Sequence, residues 1–370
     1  MFEIPPLQLA KISPLLELSY IDSFSLVKPE QQPGKYTTIL GIHGVGFNSS
    51  VFSPLIPHLP PNTRFLAYNQ RSYSGSSSAF RSQAKGGVDA TAAYLEDFLA
   101  FLAWSVRELG LTSKRDGGDV VVLSWSKGTV IPISLLALLD TASPSSSLNP
   151  PPPSSFLAHL APSTSSLADS LVESHVSSLV LFEPPGSAFA RPPTQDFLDS
   201  MSRVMLSPDE TVTPEERALA FAGWVAGYRS ARTDLEEAAT ASLERSELGD
   251  LDPRLVERGW ERGCVDHGFA WSLAGERDEV RKVGEAAIRA KLLERDGGRV
   301  EVGVAVLYGS RTVGYFEETV EVIREWWNED GRVGEGKRAI KSVEGTNHFG
   351  FVHKPREFIS ALMDCVEATR

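Results

Sequence analysis

Short apolar runs alternate with longer segments of helical periodicity along most of this chain, and this alternation limits the folds open to it. Each run is rich in branched or aromatic residues. Strands joined by intervening helices are expected to lie parallel in one sheet. We predict strands at residues 36–43, 63–69, 120–123, 176–182, 300–308 and 339–343, and helices at 91–109, 127–140, 313–328 and from about 355. The pattern predicts an α/β protein with a mostly parallel sheet flanked by helices.

The alternation of strands and helices stops between residues 187 and 296. Apolar residues recur there at helical spacing, without strand-like runs. We interpret this stretch as a helical cap, or lid, inserted into a core formed by residues 1–186 and 297–370. Within the core, residues 141–155 are so rich in proline and serine that they cannot build a packed interior. They predict a surface loop.

The sequence Ser124-Trp125-Ser126-Lys127-Gly128 lies between a predicted strand and a predicted helix. A nucleophile on such a sharp turn needs small residues two positions before and after it, because the backbone is strained and closely packed. Gly128 meets this need, and serine stands at 124 where glycine is usual. The following helix directs N–H groups and its positive end at the turn. We therefore predict Ser126 as the nucleophile.

His348 is the predicted general base. A serine hydroxyl is a poor nucleophile until a base removes its proton, and histidine titrates in the useful range. His348 lies in the sequence GTNHF directly after the last predicted strand. Its loop is expected at the carboxyl edge of the sheet, where reacting groups gather in open α/β sheets. For His353 we expect a solvated or structural role.

The sequence HGVG at residues 43–46 closes the first predicted strand. Glycines at this point let the backbone approach a substrate, and acyl transfer needs N–H donors for the developing oxyanion. We expect the backbone N–H groups of Val45 and Lys127 to supply them. Gly44 and Trp125 are expected to contact the substrate, and the histidine of HGVG is expected to support the loop by hydrogen bonds. An ordinary glycine turn is the alternative.

These motifs together resemble the α/β-hydrolase superfamily, in its serine hydrolase type. The resemblance is carried by HGVG, SWSKG and the late sequence GTNHFGF. The loop NQRSYSGS at residues 69–76 also resembles that superfamily's aspartate–arginine–glycine-rich loop, with Asn, Ser and Ser where Asp, Gly and Gly are usual. The likeness covers about residues 36–186 and 297–370 and leaves the cap unmatched. It implies the α/β-hydrolase fold.

The acid of the catalytic triad is missing from the position that the resemblance implies. In most members of the superfamily it follows the strand predicted at 300–308, where this chain has Thr312. In some relatives, haloalkane dehalogenases among them, the acid comes from the preceding strand end, where this chain has Glu183. We predict Glu183, because a carboxylate there can fix the histidine tautomer and stabilise the imidazolium. The alternatives are Glu317 and Glu318.

Charge and composition argue against several classes of function. A net charge of −12 without a basic stripe argues against a nucleic-acid partner. Two cysteines and the lack of metal or nucleotide motifs predict no metal and no cofactor. The amino terminus does not have a signal-peptide pattern, and no apolar stretch is long enough to be a membrane span. We expect a cytoplasmic protein, and its oligomeric state is left open.

The predicted activity is that of a serine hydrolase. It would cleave a carboxylic ester, or a related acyl bond such as a thioester or lactone, of a hydrophobic small molecule through an acyl-enzyme. Ser126 argues against epoxide-hydrolase and dehalogenase chemistry, which use an aspartate at that position. Two alternatives stay open: a catalytically silent binding protein of the same fold, and a non-hydrolytic cyclase-like or lyase-like enzyme of secondary metabolism that uses the same pocket.

Overall fold

An eight-stranded sheet organises the computed structural model, which describes residues 2–78, 87–141, 151, 155–186, 252–261, 302–312, 314–329 and 337–370. The strands are β1 (Gln8–Ser13), β2 (Leu16–Asp22), β3 (Thr37–Ile42), β4 (Thr63–Tyr68), β5 (Asp119–Trp125), β6 (Val176–Phe182), β7 (Gly303–Gly309) and β8 (Arg338–Val343). Their spatial order is β1-β2-β4-β3-β5-β6-β7-β8. Strands β3 to β8 are parallel, and β2 pairs antiparallel with both β1 and β4. The predicted mostly parallel sheet is confirmed.

Strand β5 explains why the central strands appear in the sequence as unbroken apolar runs. Val120 and Val122 belong to the hydrophobic core on one face of the sheet, and Val121 and Leu123 belong to the core on the other. A parallel strand covered on both faces needs apolar residues at every position. Because β5 also pairs with β3 and β6, it has no free edge. The turn after β5 therefore lies in the middle of the carboxyl edge of the sheet.

The hairpin of β1 and β2 is not among the predicted strands. Strand β1 lies at the edge of the sheet, and its side chains alternate between exposed and buried. Ala10 is its one fully buried residue, whereas Leu9 is largely exposed. An edge strand of this kind has no continuous apolar run, because half of its side chains face water.

Helices cover both faces of the sheet. They are α1 (Gly87–Glu108), α2 (Val130–Thr141), α3 (Pro162–Ser174), α4 (Pro253–Gly259), α5 (Gly314–Glu329), α6 (Gly350–His353) and α7 (Pro355–Thr369). Helices α1, α2 and α3 pack together, while α7 packs on β6, β7 and β8. The predicted helix at 127–140 begins as a 3₁₀ turn, Ser126–Thr129, and continues as α2, so the chain enters α2 through a tighter turn. The flanking helices confirm the predicted layers.

Most of the predicted cap, residues 187–296, lies outside the described residues. The exception is the segment 252–261, which contains α4 and contacts the loop after β3. The predicted loop at 141–155 is described only at its two ends and at residue 151. The division into core, cap and loop stays a prediction.

Candidate active site

Ser126 lies on the turn between β5 and α2 with its backbone in the left-handed region, at φ 53°. The turn brings Gly128 so close to β3 that an added Cβ would lie 2.5 Å from the carbonyl oxygen of His43 and 2.9 Å from that of Ile42. Only glycine fits at that distance. Ser124, which stands where glycine is usual, is fully buried, and its hydroxyl donates a hydrogen bond to the Val180 carbonyl at 3.2 Å.

The loop of residues 43–48, called here the glycine loop, lies beside Ser126. A Cβ built on Gly44 would stand 3.1 Å from the Cβ of Ser126. The two predicted N–H donors flank this contact, since Val45 is in the loop and Lys127 follows the serine. Both residues are half-buried, as is Ser126, whereas the residues around them are mostly buried.

The imidazole of His43 fixes the backbone of the glycine loop. It is fully buried, and its Nε2 accepts a hydrogen bond from the Gln70 N–H at 3.1 Å. Its Nδ1 then carries the proton and donates to the Gly44 carbonyl at 2.9 Å. Burial lowers the pKa of His43 from 6.5 to about 4, so the ring is neutral at pH 7. Since the carbonyl and N–H of a trans peptide point in opposite directions, this bond also sets the direction of the Val45 N–H.

His348 lies in the loop after β8, and its Nδ1 is 3.2 Å from Oε2 of Glu183. The ring is stacked on Phe316, with ring centroids 4.9 Å apart, and it is nearly buried. On another side lies the indole of Trp125, with ring centroids 5.1 Å apart. The indole N–H donates to the carbonyl of His348 at 3.0 Å, which ties the histidine backbone to the end of β5.

Glu183 follows β6 and is fully buried, with φ 51°. Its carboxylate accepts hydrogen bonds from the Gly309 N–H at 2.8 Å and from the hydroxyl of Thr312. Thr312 stands where the superfamily resemblance led us to expect a carboxylate, and it donates to the carboxylate of the preceding strand end instead. Among the alternative acids, Glu318 is exposed and Glu317 is half-buried, both on α5.

The His348 loop crosses the end of β7 in close contact. A Cβ on Gly309 would lie 2.4 Å from the Thr346 carbonyl oxygen, so this crossing requires glycine. The Ser310 N–H donates to the Val343 carbonyl at 3.1 Å, and the Arg311 N–H donates to that of Thr346 at 2.8 Å. The ends of β7 and β8 therefore hold the loop against the buried carboxylate.

The structure brings Glu183 and His348 into direct contact, and it brings the glycine loop to Ser126. Within the described residues, no hydrogen bond joins the Ser126 hydroxyl to the His348 ring. Trp125 is 1% exposed and packs against Phe47, so its observed contacts are with the core and the histidine. The predicted substrate contacts of Trp125 and Gly44, and the predicted donor roles of Val45 and Lys127, stay predictions.

Sequence reasoning missed several supporting residues. Gln70 holds His43 through its backbone N–H and also donates from its side chain to the His43 carbonyl at 2.8 Å. The Tyr73 hydroxyl accepts a hydrogen bond from the Gly46 N–H at 3.2 Å. Both lie in the polar loop after β4. The position of this loop at the carboxyl edge of the sheet is the feature of the sequence that could have indicated them. Glu261 also contacts this region, and nothing in the sequence links it to the glycine loop.

Among the described residues, no cluster of histidine, cysteine, aspartate and glutamate could hold a metal ion. No helix among them combines the length and apolar character needed to cross a membrane.

Solved structures match nearly the whole chain, although no family model and no curated protein matches it. A bromoperoxidase from Bacillus anthracis is 13% identical, with a TM-score of 0.52, over 98% of this chain and 100% of that one. An esterase from Exiguobacterium antarcticum is 16% identical, with a TM-score of 0.51, over 95% and 96%. A haloalkane dehalogenase variant from Bradyrhizobium elkanii is 13% identical, with a TM-score of 0.53, over 98% and 97%.

Identities this low bear on the fold alone, because one fold hosts many activities. The three matched proteins differ in activity, yet each is matched over almost its whole length. Their likeness agrees with the mostly parallel eight-stranded sheet and the flanking helices described above. The chain therefore has the α/β-hydrolase fold.

Proposed function

We propose that this chain is a serine hydrolase that cleaves a carboxylic ester, or a related acyl bond, of a hydrophobic small molecule through an acyl-enzyme. The observation that carries the proposal is the buried pair of His348 and Glu183 at the carboxyl edge where Ser126 stands on its strained turn. A carboxylate, an imidazole and a hydroxyl at one site form the arrangement that activates a serine. Solved esterases of this fold support the same class.

In the first step His348 acts as the general base. Its Nδ1 faces Glu183, so we assign Nε2 to take the proton from the Ser126 hydroxyl. The serine oxygen then attacks the carbonyl carbon of the substrate. Glu183 holds the ring in the correct tautomer and stabilises the imidazolium that forms. The hydrogen bonds from Gly309 and Thr312 keep the carboxylate in place.

The negative charge that develops on the carbonyl oxygen needs donors, and we assign them to the N–H groups of Val45 and Lys127. Donors fixed in advance stabilise the transition state without reorganisation. His348 next protonates the leaving alcohol, and the acyl group stays on Ser126. Water, deprotonated by the same histidine, attacks the acyl-enzyme and releases the acid.

The substrate class is proposed from the surroundings of the site. Aromatic rings surround His348, with Phe316 stacked on it and Phe349 at its edge. The glycine loop adds Phe47, which packs against Trp260 of the segment 252–261. Apolar surroundings of this kind favour a hydrophobic acyl or alcohol group over a charged one.

A fluorophosphonate probe and a chromogenic ester test the proposal together. The intact protein should gain the mass of one phosphonyl group, and it should hydrolyse p-nitrophenyl butyrate. Ser126→Ala should abolish both reactions, and His348→Asn should slow both by at least about 1,000-fold.

Two results would contradict the proposal, and each favours a different alternative function. A folded protein that takes no label and has no turnover contradicts the proposal and favours a silent binding protein. Labelling of Ser126 without hydrolysis of any ester in a panel contradicts the hydrolytic step and favours a non-hydrolytic reaction at the same serine.

A further inference from the structure

The segment 252–261 forms a short antiparallel bridge with the glycine loop. The Asn48 N–H donates to the Gly259 carbonyl and the Glu261 N–H donates to the Gly46 carbonyl, both at 2.8 Å. Between these bonds, Phe47 bridges to Trp260, and their rings pack edge-on with centroids 4.8 Å apart. A loop at the carboxyl edge of the sheet is thus held by a segment from within the predicted cap.

The carboxylate of Glu261 adds side-chain contacts to this bridge. One oxygen lies 2.8 Å from the side-chain nitrogen of Asn48, and the other accepts from the Ser74 N–H at 2.9 Å. The carboxylate therefore connects the glycine loop to the polar loop after β4. Glu257, on the same segment, is exposed and has the same charge.

Gly46 is the residue whose conformation these contacts control. Its φ is 77°, in the left-handed region, and a peptide next to glycine rotates at small cost. Its N–H is held by the Tyr73 hydroxyl at 3.2 Å, and its carbonyl is held by the Glu261 N–H. The Gly46 N–H shares its peptide with the Val45 carbonyl, so these contacts fix the peptide plane that follows Val45, while the bond from His43 to the Gly44 carbonyl fixes the plane that carries the Val45 N–H. A shift at Gly46 would therefore displace Val45, the proposed oxyanion donor, from its carboxyl side.

We infer that Glu261 is a positioning residue for the Val45 N–H. This inference rests on the proposed function, because the donor matters only if an oxyanion forms. Glu261 acts through Asn48, Ser74 and Gly46, and it does not touch the reacting atoms. The segment that carries it thereby couples the predicted cap to stabilisation of the transition state.

The test compares Glu261→Gln with the matched control Glu257→Gln, which removes the same charge from an exposed site of the same segment. Glutamine keeps the size of the side chain but can accept at only one of the two contacts. We expect Glu261→Gln to lower kcat for p-nitrophenyl butyrate about 10- to 100-fold with KM changed less than about twofold. A trifluoromethyl ketone, which forms a tetrahedral oxyanion adduct on serine, should bind weaker by a similar factor. The control should behave like wild type.

Equal kcat and equal ketone affinity in the two variants would overturn the inference and leave the proposed function standing. A wild-type protein that shows neither labelling nor turnover would instead overturn the proposed function itself. If Glu261→Gln does not fold, Glu261→Asp replaces it, because the shorter side chain keeps the charge but reaches less far toward Asn48 and Ser74. It should lower kcat and ketone affinity by a similar factor. Values equal to those of Glu257→Gln would overturn the inference.

Discussion

Ser126 and Glu183 share a backbone conformation that residues with a side chain rarely adopt. Their φ angles are 53° and 51°, and they end the neighbouring strands β5 and β6. Such a conformation costs about 1 to 3 kcal/mol per residue and is found where the surrounding structure enforces it, often at functional sites. In both residues this conformation places a polar side chain at the carboxyl edge of the sheet, where the proposed chemistry needs it.

The choice of acid gives the first prediction at this scale. Glu183→Gln should lower kcat by at least about 100-fold, because an amide cannot stabilise the imidazolium of His348. Glu317→Gln, on α5, should stay within about twofold of wild type. Steady-state hydrolysis of a p-nitrophenyl ester measures both, with melting curves as a control for folding. Equal losses in the two variants would contradict the assignment of Glu183.

His43 gives a prediction about pH and stability. Its pKa is about 4 in the folded protein and 6.5 in the unfolded chain, so between these values the unfolded chain binds the extra proton. Stability is therefore full above pH 6.5 and falls as the pH drops toward 4, by roughly 3 kcal/mol in total. Urea unfolding at a series of pH values should give a steeper fall for wild type than for His43→Asn. Parallel curves would show that burial of this imidazole does not control acid sensitivity.

At the scale of elements, the turn after β5 depends on how closely it approaches β3. Gly128→Ala would push a Cβ to 2.5 Å from the His43 carbonyl oxygen, so we expect a loss of stability of at least about 2 kcal/mol. Gly34→Ala is the control, since no atom lies within 4 Å of its added Cβ. Chemical denaturation measures both. A Gly128→Ala variant as stable as Gly34→Ala would mean that the turn can shift away from β3 without cost.

Elements that are buried on both sides were predictable, and those that depend on distant contacts were not. Strand β5 can be predicted because residues 120–123 form an unbroken apolar run, whereas β1 has no such run because half of its side chains are exposed. Glu183 is predicted as the acid because the superfamily resemblance places the acid of some relatives at the end of that strand. The contact of Thr312 with Glu183 joins residues 129 positions apart, and that of Glu261 with Asn48 joins residues 213 apart. No local pattern encodes such pairs, because they exist only once the sheet has formed.

At the scale of the whole molecule, the sheet separates two hydrophobic cores, and the aromatic rings that pack on His348 belong to one of them. Phe351 is buried beside Trp125, with ring centroids 4.9 Å apart, on the same face as His348. Phe101 is buried on the opposite face, stacked on Tyr68 at 4.9 Å. A substitution in the core beside His348 should therefore lower activity more than a substitution in the opposite core, even when both lower stability by the same amount.

Phe351→Leu and Phe101→Leu test this separation. Each should cost about 1 to 3 kcal/mol of stability, because a ring is replaced by a smaller side chain in a packed core. At a temperature where both variants are folded, Phe351→Leu should lower kcat several-fold more than Phe101→Leu. Calorimetry and ester hydrolysis measure the two quantities. If kcat falls equally in both variants, the cores are not functionally separate.

The hydrogen bond from the indole of Trp125 to the carbonyl of His348 has a consequence for motion within the sheet. The proposed nucleophile is the next residue after Trp125, so one strand end carries Ser126 and also holds the backbone of the proposed base. Because of this tether, we expect a small shift of β5 against the neighbouring strands to move the imidazole together with the serine. The distance between the two side chains should then vary less than the positions of the strands around them.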